Sequence, residues 1–265
     1  MLEFNTRREI AQKIFHCYRN NEQLPLLTRS YPEMDTQDAY YIQEQVLSHF
    51  VAEGSTIKGY KIGLTSKAMQ EMVGSTEPDY STLLNEMFVD EDSVLPANTF
   101  TDPLVEIELA FVIKSPLQGP GVNAADVIQA TDFVLPSIEI VDFRVARAPG
   151  MDVRDTIADL AAVGRVVLGG NPVKLDQIDI RNVEGELLIN GEVLEKGISS
   201  AVLGNPVTAV VWLVNKLAEF GVAFQPGDVI FSGSFVRALP VKAGDRVSAR
   251  FDNGLGQVNI NFGEE

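Results

Sequence analysis

The sequence predicts an α+β protein, with helices first and a compact β-rich body after them. Three observations lead to that expectation. Over the first 70 or so residues apolar positions recur at helical spacing. After Ile57 the runs shorten and begin to alternate. Asn-Gly and Gly-Asp turns then separate the later runs.

The elements follow in order. Ile10, Ile14 and Tyr18 mark a first helix. A second is expected from Thr36 as its cap, with Asp38 in the first turn, Ala39, Ile42, Val46 and Phe50 as the apolar stripe, and Gly54 past the end. His16 and His49 fall on these helices and are expected at a surface or an interface. TIKGYKIGLTS reads as a short strand running into a loop. Leu104–Ile113 is the cleanest strand, and Phe133–Val141 is another, with Pro136 expected to mark a bulge or an edge. Asn190-Gly191 divides two apolar runs and predicts a hairpin. Asn205 caps a further helix, with Pro206 at its first position and Gly221 at its end. Val229–Phe231, Arg246–Phe251 and Val258–Phe262 complete the body. The expected division is a helical region over 1–70 and a catalytic body over 71–265, together forming one structural unit. A chain of 265 residues is long enough for that single large core.

Composition narrows the function. The chain has 37 acidic and 21 basic residues, a formal charge of −16. Nucleic acid is therefore not an expected partner, because phosphate binding needs clustered Lys and Arg. The longest apolar stretch, Ala201–Leu217, is broken by Asn205, Pro206 and Asn215 and falls short of the ~20 residues of a membrane span. MLEFNTRREI has no apolar signal region. A soluble cytoplasmic protein is expected, with no membrane partner. The chain has two His and one Cys. These counts disfavour a His-rich zinc site, a four-cysteine site, an internal disulfide and a Ser-His-Asp relay. GxGxxG and Walker A loops are both absent from the sequence.

Carboxylates are the most informative residues. Glu106 and Glu108 stand at i and i+2 on a strand, on one face and about 7 Å apart. Val105, Ile107, Leu109, Phe111 and Ile113 form the opposite, core face. Two acids in register repel unless a cation or solvent compensates. Glu139 lies on another strand, in SIEIVD. Three carboxylates without His or Cys suit a hard cation, Mg²⁺ or Mn²⁺. Taken alone, the same residues also read as acids on a solvated strand face. Lys61 in GYKIGLTS and Asp79 in TEPDYS are the next candidates, a buried amine and a nearby carboxylate. On the residues alone they read equally as a surface lysine on an edge strand and a turn aspartate.

GYKIGLTSKAMQ, EPDYSTLL, PLVEIELAFVI, VLPSIEIVD and PGDVIFSGSFVRALPVKAGDRV occur in that order. Together they resemble the 2-keto-4-pentenoate hydratase and 4-oxalocrotonate decarboxylase family of the fumarylacetoacetate hydrolase superfamily. The resemblance runs from about Tyr31 to the C-terminus. Its finer match is to the hydratases of 2-oxo-hept-3-ene-1,7-dioate, through LTSKAMQ, EPDY and GSFVR. It implies a mixed β-sandwich or roll as the body. It also implies a metal, Mg²⁺ or Mn²⁺, held by Glu106, Glu108 and Glu139, with Lys61 and Asp79 as acid–base groups beside the substrate. The superfamily's hydrolases use a His-Glu pair, and no His follows His49 here.

The implied reaction is addition of water to a 2-hydroxy-2,4-dienoate, through its 2-oxo-3-enoate tautomer. Decarboxylation of 2-oxo-3-hexenedioate is the alternative, and a non-catalytic subunit of a hydratase–decarboxylase complex is the second. Arg237 is the candidate for a distal carboxylate and Ser234 a weaker candidate for substrate contact. The resemblance further implies a homo-oligomer, in which Phe15, Tyr18, Tyr40, Tyr41 and Phe50 are candidate contact residues, and a complex with a paralogous decarboxylase or hydratase. Two departures stand out. Asp159-Leu160-Ala161 replaces the family's Asp-Asn-Ala, and Phe143–Arg154 is unlike the family and would change the substrate if it lined the site.

Overall fold

The computed structural model describes residues 1–264. Helices α1 (Phe4–Asn20), the single turn α2 (Leu27–Ser30) and α3 (Thr36–Ala52) come first. Ile10, Ile14, Ile42, Val46 and Phe50 form the buried seam between α1 and α3. The cap of α3 is Asp35, one residue before the expected Thr36. Its carboxylate accepts the Asp38 N–H at 2.8 Å, and the Asp38 carboxylate accepts the Asp35 N–H at 3.2 Å. This reciprocal pair satisfies two end donors at once and leaves Thr36 as the first helical residue.

The aromatic residues expected at a subunit interface are mostly used within the chain. Phe15 and Tyr18 meet Phe50 edge-on, and Tyr40 stacks on Tyr80 at 4.6 Å. Of the five, Tyr41 alone is exposed. These side chains bury more apolar area against their own helices and β-sheet than a surface position would allow. His49 stacks on Phe15, and His16 lies exposed beside Glu22, as the helical pattern implied.

The body begins with β1 (Ile57–Gly63), α4 (Lys67–Met72) and β2 (Asp79–Leu84). The short strands β3 (Phe88–Val89) and β4 (Val94–Pro96) lead to β5 (Leu104–Ile113). Helix α5 (Ala124–Ala130) joins β5 to β6 (Thr131–Val141), and α6 (Val153–Ala158) lies between β6 and β7 (Val163–Leu168). Strands β8 (Glu184–Ile189) and β9 (Glu192–Ile198) form the hairpin expected from Asn190-Gly191, both of which take positive φ. Helix α7 (Pro206–Leu217) has the Asn205 cap and a Gly221 terminus. Strands β10 (Val229–Phe231), β11 (Leu239–Pro240), β12 (Arg246–Phe251) and β13 (Gly256–Gly263) close the chain.

Two mixed sheets result. The larger runs β2-β1-β10-β5-β6-β7-β3, with β11 added on β5, and the smaller runs β4-β13-β12-β8-β9. β1 precedes residue 70 yet pairs with β10 and β2, so the N-terminal region and the body share this sheet. Val105, Ile107, Leu109 and Ile138 face the small sheet, where Val247, Ala249, Val258 and Ile260 complete one core. α7 buries its apolar face in that same core, through Val207, Val210, Leu213 and Val214. The N-terminal helices and α6 cover the opposite face of the large sheet and form the second core.

Pro136 lies in an interior strand, and its pairing with Leu109 is regular, so the expected edge or bulge is not found. The Pro136 carbonyl accepts from Gly169 N just beyond the end of β7. N and C=O of one strand residue point the same way, so the missing N–H faces a place where the ladder has already stopped.

Candidate metal centre and active site

β5 and β6 are antiparallel, with Glu106 directly opposite Glu139 and Glu108 opposite Ser137. The period of two keeps Glu106, Glu108 and Glu139 on one face. One oxygen from each lies within 4.8 Å of the others. On an antiparallel sheet with one wet face these acids would be solvated. Here the second face is also covered, and Glu108 and Glu139 are buried, with Glu139 at 0% exposure.

Lys61 reaches this cluster from β1. Its Nζ stands 3.1 Å from Glu139 Oε1, close enough for an ion pair but without hydrogen-bond alignment, so both Glu139 oxygens lack a hydrogen-bond partner. β1 and β6 are separated by β10 and β5. Three strand spacings span about 14 Å in a flat sheet, so the contact requires the sheet to roll towards the site. Lys61 is thus an interior-strand residue, and the edge-strand reading does not hold. Asp79 opens β2 and pairs with Gly63 of β1. It is buried, and its Oδ1 has no hydrogen-bond partner. A side chain on Gly63 would overlap Asp79 Oδ1 and stand 3.5 Å from Lys61 Nζ. The glycine therefore vacates the space in which the carboxylate and the ammonium meet.

Electrostatics make the cluster costly as it stands. Four carboxylates surround one ammonium. Burial first, then the charge of Glu139, pushes Glu106 up to about 8. The same causes, with Glu106 added, hold Glu108 well above the ordinary carboxylate range. Burial also raises Asp79 to about 6, against the opposing pull of the Lys61 charge. For Lys61 burial favours the neutral amine, but Glu139 and then Asp79 outweigh it and hold the group above its ordinary value. These two carboxylates favour the ammonium form of Lys61. Unpartnered buried carboxylate oxygens and unbalanced negative charge fit a hard divalent cation, Mg²⁺ or Mn²⁺, bound by oxygen. Gly233 N donates to Glu108 Oε2 at 2.7 Å and orients that ligand. Gly233 has φ near 101° and packs on Thr65.

A cavity of about 360 Å³ opens onto this cluster. Lys61, Glu106 and Glu139 line its inner end, and Ser234 and Arg237 line its outer part. Asp79 and Glu108 stand behind that lining. The Ser234 hydroxyl is engaged in its own turn, donating to Val236 O at 2.9 Å and accepting from Val236 N. Arg237 pairs with Glu195.

The two departures lie elsewhere. No residue of 143–154 lines this cavity. Arg144 and Val145 are buried, and Arg154 binds the Met34 carbonyl, so the segment serves packing. Leu160 is buried in the helical-side core at positive φ, and Asp159 binds Arg144. Sequence reading missed Gly233 as a ligand-orienting donor and Glu195 at the cavity rim. Gly233 had a signal, a glycine in FSGSF. Glu195 had none, since only the approach of β9 to the 234–237 turn brings it near.

Residues 61–262 match the family model described as fumarylacetoacetate (FAA) hydrolase C-terminal. The chain is 40% identical to a 2-oxo-hept-4-ene-1,7-dioate hydratase from Escherichia coli, over 99% of this chain and 100% of that one. It is 37% identical to a 2-hydroxyhexa-2,4-dienoate hydratase from Comamonas testosteroni, over 96% of each. Among solved structures it is similar to a 4-oxalocrotonate decarboxylase from Pseudomonas putida G7, complexed with magnesium and adipate. That likeness has a TM-score of 0.94 and 34% identity and covers 99% of each chain. By its sequence match, its sheet architecture and its carboxylate site, the chain belongs to the fumarylacetoacetate hydrolase family, in the branch of the hydratases and decarboxylases.

Proposed function

We propose that the protein is a metal-dependent hydratase acting on a 2-hydroxy-2,4-dienoate. The dienol shifts to its 2-oxo-3-enoate tautomer, and water then adds at C4 to give a 4-hydroxy-2-oxo acid. The observation that carries this reading is the meeting of Lys61, Glu106 and Glu139 at the end of one cavity, with buried Glu108 and Asp79 behind them. A cation held by the three glutamates supplies Lewis-acid polarisation of the 2-oxo group.

The chain's own groups move the protons. Asp79 has an unpartnered oxygen behind the cavity wall and accepts a proton from the dienol or the attacking water. Lys61, held as an ammonium between Glu139 and Asp79, orients that water and stabilises negative charge developing at the 2-oxo oxygen. Gly63 allows the two groups to meet, and Gly233 fixes Glu108. Ser234 contributes through the turn it closes rather than through a free hydroxyl. The hydratase names of the 40% and 37% identical relatives support this reading. Assembly as a homo-oligomer belongs to the same proposal.

A second reading, decarboxylation of 2-oxo-3-hexenedioate, is favoured by the likeness to the magnesium-bound decarboxylase. One experiment separates the two. The Mg²⁺-loaded protein is given a 2-hydroxy-2,4-dienoate and 2-oxo-3-hexenedioate in parallel, and absorbance, product and CO₂ are followed. Formation of the 4-hydroxy-2-oxo acid without CO₂ is expected. Prompt CO₂ release with no hydration of the dienoate overturns the hydratase reading.

A further inference from the structure

At the cavity rim, Arg237 Nε and Nη2 both donate to one oxygen, Glu195 Oε1, at 3.1 and 2.6 Å. This contact occupies the side edge of the guanidinium. The end edge, Nη1 with the second Nη2 hydrogen, has no hydrogen-bond partner among the described residues, and the side chain is 77% exposed. A guanidinium has five donors in a rigid fork, so holding one edge orients the other. That free edge matches a carboxylate bidentately.

Backbone contact, rather than two long side chains meeting in solvent, sets this pair. Gly197 of β9 packs so closely on the Phe235 carbonyl that a Cβ there would collide with it. β9 therefore lies against the turn that carries Arg237, and that turn is closed by Ser234 and Val236. Glu195 is paired in register with Leu187, and its side chain is only 21% exposed. Lys196 also lines the cavity, its Nζ 2.5 Å from Glu186. Lys196 is thereby spent on Glu186, which leaves Arg237 as the cation offered at this rim, in a chain of net charge −16.

We propose that Glu195 is a specificity-determining residue. It holds Arg237 by one edge so that the other edge receives the far carboxylate of a dianionic 2-oxo acid, and the cavity thereby favours diacids over monoacids of equal length. The inference rests on the 2-oxo acid reading of the carboxylate site and extends it to the far end of the substrate. Glu195 also sets the strength of the preference, because its own charge repels the incoming carboxylate.

Calorimetry with the Mg²⁺-loaded protein tests this without turnover, using adipate and hexanoate as probes. Adipate is expected to bind about tenfold more tightly than hexanoate, as one charge-assisted contact at an exposed site allows. Arg237→Met is expected to reduce that preference to about twofold or less. Glu195→Gln keeps the accepting oxygen and removes the repulsion, so the adipate preference should rise about fivefold. Adipate binding no tighter than hexanoate overturns the inference. So does a preference that survives Arg237→Met, or one that Glu195→Gln weakens. A protein that shows the adipate preference yet hydrates no dienoate overturns the hydratase reading and leaves the rim assignment standing.

Discussion

Arg144 sits at the centre of one buried cluster of charge and Lys61 at the centre of another. Around Arg144, Nη1 meets Asp142 at 3.1 Å, Nε meets Asp159 at 3.3 Å, and Nη2 binds the Val163 carbonyl and the Tyr18 hydroxyl. The guanidinium also lies over the Tyr18 ring, 3.7 Å from its centre. Asp159 takes the N–H groups of Arg144 and Val145 as well, and Asp142 takes those of Thr101 and Asp102. Two acids, one cation and a full set of donors close that cluster. It ties α1, through Tyr18, to the loops after β6 and α6.

The Lys61 cluster is the opposite in kind. Four carboxylates share one ammonium, and oxygens of Glu139 and Asp79 remain without hydrogen-bond partners. A buried charge cluster that its own chain completes acts as a structural lock. One left incomplete marks the place where something else must bind. The difference is chemical as well as numerical. Asp142 and Asp159 are each served by two backbone N–H groups, whereas Glu108 receives one from the Gly233 turn and the Glu139 oxygens and Asp79 Oδ1 receive none.

This contrast can be broken by mutation. The largest stability effect is expected at Arg144. Replacing it with Met leaves Asp142 and Asp159 buried without their cation and should cost about 3–5 kcal/mol in urea unfolding. A loss under ~1 kcal/mol would show that the cluster is no lock.

Glu106→Gln should behave in the reverse sense. Without metal it replaces a carboxyl that burial and the Glu139 charge already push up to about 8, so little charge is lost, and its amide can donate to Glu139. Unfolding of the metal-free variant should show stability unchanged or raised by about 1 kcal/mol. The wild-type protein, by contrast, should gain about 2.7 kcal/mol with Mg²⁺ at a hundred times its Kd, a gain removed by EDTA and largely absent in the variant. Equal destabilisation of Glu106→Gln and Arg144→Met would erase the distinction between the two clusters.

Gly63→Ala sharpens the comparison at the smallest scale. The added methyl would overlap Asp79 Oδ1 and displace that carboxylate beside Lys61. Turnover should fall about 100-fold, because a displacement near 1 Å suffices for that, while the melting curve still shows a folded protein. Full activity in this variant would remove Asp79 from its proposed role.

Much of this arrangement was legible in the sequence because it is local. The alternation of LVEIELAFVI places Glu106 and Glu108 on one face wherever that strand lies. Asn190-Gly191 selects its hairpin through two positive φ angles, and Asn205-Pro206 starts α7 by capping chemistry. Pro136 shows the limit of the same reasoning. A proline reads as an edge signal, yet an interior strand tolerates it where the neighbouring strand has ended. The aromatic residues of α1 and α3 show it too, since an amphipathic helix does not reveal whether its ring-bearing face meets its own sheet or another subunit.

The sequence by itself determined the donor types of the site and their local spacing. Carboxylates, one lysine and the absence of later histidines leave oxygen ligation as the chemistry, because side-chain identity sets metal preference and acid–base range. Tertiary structure alone decided that these groups form a site. The β5–β6 register puts Glu139 opposite Glu106, the roll of the sheet carries Lys61 across two intervening strands, and the N-terminal helices cover what would otherwise be a wet face. The physical reason is the reach of each effect. Strand alternation and capping act over a few residues, whereas burial, and with it the demand for a compensating cation, depends on elements brought together from across the chain.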